Sequence, residues 1–357
     1  MRTAFETIVD RGRVALRSRS FCIDKHQAEP LFDAEVALIR SSNFEATLVQ
    51  MVEYGDQLRE RNLNFHVIGS GGSSVILYVL GMSEVNPVLH DTHFQRFWQT
   101  SGGEPPILQL VADSFGKPNF GEIALPSCVS AHPMTPLEAI PNRVESQVEA
   151  IGTIKLDQAT LASLQAGDTE GVFQFHSERA RWFLSQIRPT NIEALACVTA
   201  LEQISHSFPE IAISYLEQYA KIVTARCVAG RRPSAEDIGT LPILFQELLM
   251  GKLRRMVKLS WNETYPFVRA AAKGQVDNQH NLWKAAVEAM KDHCPEDHEP
   301  LLRKIVESSR WAVCRAHHVA NALTGYKAAY CRTHHRIEFQ RVRNQITESA
   351  EQGDNGG

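Results

Sequence analysis

The sequence predicts an α+β fold in which a mixed first part is followed by a mostly helical second part. Two observations carry this. A short β-like run, Phe65-His66-Val67-Ile68, meets a glycine turn at Gly69-Ser70-Gly71-Gly72 and then an apolar helix from about Ser73 to Leu80, making a strand, turn and helix unit. From Leu156 onward, apolar residues recur at helical spacing.

Each element follows from local pattern. Val36, Leu38, Ile39, Phe44, Leu48, Met51, Val52 and Leu58 recur mostly three and four residues apart, which predicts an amphipathic helical region broken within Arg40 to Asn43. Ser101 to Pro106 is a turn cluster, and Ile107 to Ala112 reads as a short strand. Gly116 to Asn142 holds Pro118, Pro126, Pro133, Pro136 and Pro141, too much proline for a long helix, so irregular structure with short elements is expected. The helical second part is interrupted by the β-like Gly171-Val172-Phe173-Gln174-Phe175, and Gly230 to Gly239 reads as a loop. The expected organisation is a mixed region over 1–150, a mostly helical region over 151–345 and a disordered tail over 346–357.

Composition limits the classes. With 357 residues, 43% hydrophobic and 22% charged, the chain suits roughly two to three domains of about 150 residues and is not disordered as a whole. No apolar run approaches the roughly 18 residues of a membrane span, and Met1 to Phe21 mixes Glu6 and Asp10 with arginines, so a cytoplasmic protein without a membrane partner is expected. Seven scattered cysteines without a C-x-x-C pair indicate neither a disulfide framework nor a zinc cage.

The net charge of −4 conceals two cationic tracts on an acidic body. Arg310, Arg315, Lys327, Arg332, Arg336, Arg341 and Arg343 face a single acid, Glu338, within residues 310–343. Lys252, Arg254, Arg255, Lys258, Arg269 and Lys273 face only Glu263. Each tract is either a solvated helix face or a phosphate-contacting surface, and composition does not choose.

The glycine turn leaves two readings open in the same way. A helix N-terminus presents unpaired N–H groups, and glycines let a phosphate come close, so Gly69 to Ser74 is either a tight structural turn or a phosphate site. It is neither a P-loop, lacking the lysine, nor the G-x-G-x-x-G fingerprint, because Ser74 stands at the third glycine. Taken alone, His317 and His318 read as helix-surface residues, and Trp261, Trp283 and Trp311 as packing between helices.

The flanks of that turn extend the reading. Phe65 to Phe97, with Gly69-Ser70-Gly71, Ser74, Tyr78, Leu80, Pro87 and Phe94-Gln95-Arg96-Phe97, resembles the palm of the bacterial replicative DNA polymerase III alpha subunit, with its G-S-G-A-G-S turn, A-Y-A-L, D-P and F-E-R-F. Gly167 to Ser177 is similar to the family's T-x-G-V-F-Q-x-E-S segment. Phe245-Gln246-Glu247, followed by Arg269 and Lys273, resembles its Y-Q-E-Q and R-R-x-x-G-K. Val313 to Phe339 follows its F-N-K-S-H block, with Arg315, His317, Ala320, Leu323, Tyr326, Ala329, His334 and Glu338-Phe339 in place without a gap.

The resemblance implies a nucleotidyltransferase-type palm with mostly helical thumb and fingers, holding primer–template DNA and a nucleoside triphosphate. Gly69, Ser70, Gly71, Ser74, Arg269, Lys273, Arg315 and His317 would then face the triphosphate, and Lys252, Arg254, Arg255, Lys327 and Arg332 the DNA. The family's metal-binding acids are missing. Its P-D-x-D-x-D falls on Pro106 to Val111, so Ile107, Gln109 and Val111 occupy the acidic positions, and the further Asp of F-D-F-L-G-L falls on Gly121.

Two-metal phosphoryl transfer needs such carboxylates. The expected protein is therefore a catalytically inactive DNA-binding module, without catalytic residues, metal or cofactor, acting with a protein partner in replication, repair or translesion synthesis. The alternatives are a minimal magnesium-dependent polymerase using Asp113 and Glu122, with Glu104 nearby in sequence, and a scaffold without DNA contact.

Overall fold

Strand alternation decides how the sheet divides the molecule. In the computed structural model, which describes residues 2–18, 25–98, 104–113, 123–145, 156–228, 241–275, 280–291 and 296–354, the first elements are helices α1 (Ala4–Ser18), α2 (Lys25–Ser41) and α3 (Glu45–Glu60). Asn43, at φ +57°, makes the break between α2 and α3 that the sequence predicts. Strand β1 (Phe65–Ile68), a 3-10 turn over Gly69–Ser73, α4 (Val75–Val79) and α5 (Gln95–Trp98) follow. Strands β2 (Leu108–Ala112) and β3 (Val129–Pro133) complete the sheet in the order β1-β2-β3, with β1 antiparallel and β3 parallel to β2. Val67, Leu108, Leu110, Ala112 and Val129 join the first core with α1 to α5. By alternation, His66, Ile68, Gln109, Val111, Ser130 and His132 share the opposite face.

Helix α6 (Pro136–Glu145) covers part of that face. Pro136 begins it, where a missing N–H is harmless, and Thr135 and Glu138 exchange side-chain to backbone hydrogen bonds as a capping box. The proline-rich stretch thus contains a strand and a ten-residue helix.

The second part contains α7 (Gln158–Gln165), α8 (Glu178–Ile187), α9 (Ile192–Ser205), α10 (Pro209–Val228), α11 (Gln246–Val257), α12 (Trp261–Ala272), α13 (His280–Met290), α14 (His298–Glu307), α15 (Arg315–His334) and α16 (Arg336–Asp354). Helices α7 to α10 pack with α15 and α16 around one core, while α11 to α14 enclose another around Leu249, Phe267, Trp283 and Leu302.

Ile140 and Val144 of α6 pack in the second core, while Ala139 packs against Val111 of the sheet. Several expectations are corrected. Gly171 to Phe175 is a series of turns, not a strand: Gly171 and Gln174 have φ of +75° and +63°, and Thr169 Oγ1 closes the loop by donating to the Phe175 carbonyl at 2.6 Å. The tail expected from 346 is instead the end of α16, which runs to Asp354 with Ile346 in the core. Gly230 to Gly239 lies outside the described residues. Cys128, Cys197, Cys314 and Cys331 are free, and burial pushes the Cys331 thiol up to about 12. No helix among the described residues is long and apolar enough to cross a membrane.

Candidate functional site

The glycines of the 69–73 turn serve close packing. Gly69 has φ +68°, and a Cβ there would lie 2.5 Å from Gln109 Oε1. A Cβ on Gly71 would lie 2.8 Å from both Leu108 and Val67, and one on Gly72 3.3 Å from Ala316 of α15. The backbone is thereby pressed between the sheet and the first turn of α15. The Gly69 N–H donates to His317 Nδ1 at 3.3 Å, which fixes the acceptor side of that imidazole. The ring's Nε2 lies 3.2 Å from the Asn321 amide group. Burial pushes the His317 pKa down against the pull of Glu138, with Arg96 and His66 adding to the depression.

Ser74 is fully buried and caps α4, so its side chain turns into the core rather than toward a phosphate. Its hydroxyl donates to Glu35 Oε1 at 2.5 Å. Glu35 Oε2 accepts from the Val75 and Ile76 amides at 2.8 and 3.2 Å, and Trp98 Nε1 donates to Oε1 at 2.6 Å. The first turn of α4 therefore faces the protein's own carboxyl group. Burial raises that group to about 7, outweighing its four hydrogen bonds. The sequence carried a signal for it, an acid four residues before the core residue Ile39 on an apolar helix face.

On the other face of the sheet, the positions expected to bear acids are differently occupied. Ile107 is 57% exposed just before β2, Gln109 is exposed, and Val111 packs with Met134, Ala139 and Ile68. The neighbouring strand places Ser130 beside Gln109 and His132 beside Val111, with Ser130 Oγ 2.9 Å from His132 Nε2. Gly121 and Glu122 lie outside the described residues, and Glu104 is exposed. Asp113 is buried with Arg143 Nη2 at 3.7 Å, and Glu138 Oε1 is 3.1 Å from His66 Nε2. Among the described residues, no group of three His, Cys, Asp or Glu is placed to hold a metal, so they do not fit a two-metal clamp.

His318 is buried, contrary to its surface reading; its Nδ1 lies 2.9 Å from Thr199 Oγ1, and burial pushes its pKa to about 3. The three tryptophans do pack between helices: Trp283 is buried, and Trp261 and Trp311 pack against helical cores.

The two cationic tracts are neutralised to different extents, although Arg336 and Arg341 of the C-terminal tract are exposed and no acidic side chain pairs with them among the described residues. In the C-terminal tract, Lys327 pairs with Glu84, and buried Arg332 is held by the Asp168 carboxylate and carbonyl. Arg343 pairs with Glu170, Arg310 with Glu307, and Arg315 lies 4.0 Å from Asp91. In the other tract, among the described residues, no acidic side chain pairs with Lys252, Arg254, Arg255, Arg269 or Lys273. Arg254 lies over the Trp261 ring at 4.3 Å and Arg269 over Tyr265 at 5.9 Å, with both cations exposed.

A buried polar hub joins the sheet region to the helices. Arg96 Nε and Nη2 donate to Gln246 Oε1, and Glu247, fully buried, stands 3.7 Å from Arg96. Glu247 Oε2 accepts the Arg315 amide at 2.8 Å, capping α15. The same hub half-buries Cys314, whose thiol is pushed up to about 12 by desolvation. His66 had no local sequence signal, because its partner Glu138 is far away in the chain, whereas Glu138 carries the local Thr135-x-x-Glu138 capping pattern and Glu247 lies in the block that resembles Y-Q-E-Q.

Comparison with known proteins agrees with this arrangement. The family model described as the bacterial DNA polymerase III alpha NTPase domain matches residues 16–110, and that of the bacterial DNA polymerase III alpha subunit finger domain matches residues 137–294. The DNA polymerase III subunit alpha of Thermotoga maritima is 22% identical, over 76% of this chain and 41% of that protein. That of Bacillus subtilis is 24% identical, over 58% of this chain and 19% of its own length. The error-prone DNA polymerase of Bdellovibrio bacteriovorus is 30% identical over 21% of this chain and 7% of its own. The chain spans less than half the length of these relatives. It carries the NTPase (palm) and finger domains of the bacterial DNA polymerase III alpha subunit and is a distant homologue of that subunit and of the error-prone DNA polymerases.

Proposed function

We propose that this chain is a catalytically inactive module of the DNA polymerase III alpha type, binding primer–template DNA with a protein partner in a replication, repair or translesion complex. The observation that carries the loss of catalysis is the sheet face bearing Ile107, Gln109 and Val111, where Val111 is enclosed by Met134, Ala139 and Ile68. An amide and two aliphatic side chains supply no anionic oxygen for divalent ions. DNA binding is supported by Lys252, Arg254, Arg255, Arg269 and Lys273 on and just beyond α11 and α12, cations with no acidic partner among the described residues. Lys327, paired with Glu84 at the surface, and Arg332, buried against Asp168, are not assigned to the DNA surface.

The test uses the full chain with a primer–template duplex and labelled nucleotide in magnesium buffer. Salt-sensitive binding without incorporation is expected. Incorporation that Asp113→Ala abolishes would replace this reading with the minimal polymerase. Absence of DNA binding at low salt would replace it with the scaffold, a reading favoured by the packing of α15 on the glycine turn.

A further inference from the structure

A cavity of about 400 Å³ opens in the α11 to α14 subdomain, away from the sheet face and the glycine turn. Its wall combines apolar and cationic groups. Ala271, Val306 and Trp283 supply the apolar side, Pro300 the rim, and Arg303, Lys304 and Arg310 three cations against the single acid Glu307. The volume falls within the range of roughly 300–1,000 Å³ common for small-molecule sites, and such sites pair an apolar wall with few oriented polar groups.

The wall is held in place from behind. Trp283 stacks on Phe267, with interplanar angle 11° and centroids 6.2 Å apart. Arg303 lies over the Trp283 ring at 4.6 Å, and Glu299 Oε1 accepts from its Nε and Nη2 at 3.2 and 2.8 Å. That guanidinium, about half exposed, covers the Trp283 ring with its charge already matched. Arg310 is only loosely matched, 3.6 Å from Glu307, and no acid pairs with Lys304 among the described residues. One positive charge is left over beside the flat guanidinium of Arg303.

We infer that this cavity binds a small organic anion, its carboxylate or phosphate held by Lys304 and Arg310 and its flat body lying on the Arg303 guanidinium that covers Trp283, with Ala271 and Val306 at the base. A ligand of this chemistry is either a mononucleotide or an aromatic carboxylate.

The experiment is ligand-detected NMR on the full chain with deoxyadenosine monophosphate, benzoate, adenosine and inorganic phosphate as separate probes. At least one of the first two binds saturably, and which one identifies the source. Lys304→Glu, an exposed substitution, weakens that binding by about tenfold or more through charge reversal, and Pro300→Trp, which obstructs the rim, removes it. Circular dichroism verifies that both variants remain folded. Four results would overturn the assignment: binding of neither anion, equal binding of adenosine, equal binding of phosphate alone, or full binding by both variants. Should either variant unfold, Lys304→Gln and Pro300→Phe replace them, with weakened binding expected and unchanged binding overturning the assignment.

Discussion

Arg96 Nη2 donates to Gln246 Oε1 at 2.7 Å across 150 positions of sequence, tying the short helix beside the sheet to the first turn of α11. The Gln246 amide then donates to the Ala312 carbonyl at 2.9 Å, extending the tie to the segment that leads into α15. Two sequence blocks that resemble the same family thus meet through a buried charge. Removing Arg96 leaves Glu247 without its cation, so Arg96→Ala is expected to destabilise the fold by about 3–5 kcal/mol in denaturant unfolding. A loss under about 1 kcal/mol would show the link to be dispensable.

Gly69 tests the close approach at the turn. Gly69→Ala places a Cβ 2.5 Å from Gln109 Oε1 at φ +68°, with an expected cost of about 1–3 kcal/mol. Adding Gln109→Ala relieves the contact but not the backbone strain, so the double variant recovers only part of the loss. Full recovery would show that φ contributes nothing.

Glu35 gives the stability a pH dependence. Its carboxyl group is raised from 4.5 in the unfolded chain to about 7 in the folded one, so the folded state binds the extra proton. The contribution is full below pH 4.5 and is lost as pH rises toward and through 7, amounting to about 3 kcal/mol. Denaturant titrations across this window should show Glu35→Gln removing that part of the slope, whatever its absolute stability. An unchanged slope would place the titration elsewhere.

The cations on and just beyond α11 and α12 predict the salt dependence of DNA binding. Each cation touching duplex phosphate contributes about 0.9 to the slope of log affinity against log salt. Lys252→Glu, Arg255→Glu and Lys273→Glu should each weaken binding and lower the slope by about one such contact. Arg332→Ala should instead leave the slope intact and lower the unfolding midpoint, because it removes the buried partner of Asp168. The reverse pattern would move the interface to the C-terminal tract.

The sequence alone determined the strand, turn and helix unit, the break before α3, the helical second part and the uncharged side chains at Ile107, Gln109 and Val111. These are short-range properties: periodicity sets local structure, and the chemistry of a side chain is present in its identity. Tertiary structure decided what lay beyond that range. It gave Lys327 and Arg332 their acidic partners, because Glu84 and Asp168 come from distant parts of the chain. It set α15 and Gln109 against the glycine turn, a close approach that only packing reveals. It turned the apparent strand at Gly171 into turns, because two positive φ angles and the hydrogen bond from Thr169 end extended pairing. Charge pairing and close approach are properties of distance in space, which adjacency in the chain does not encode.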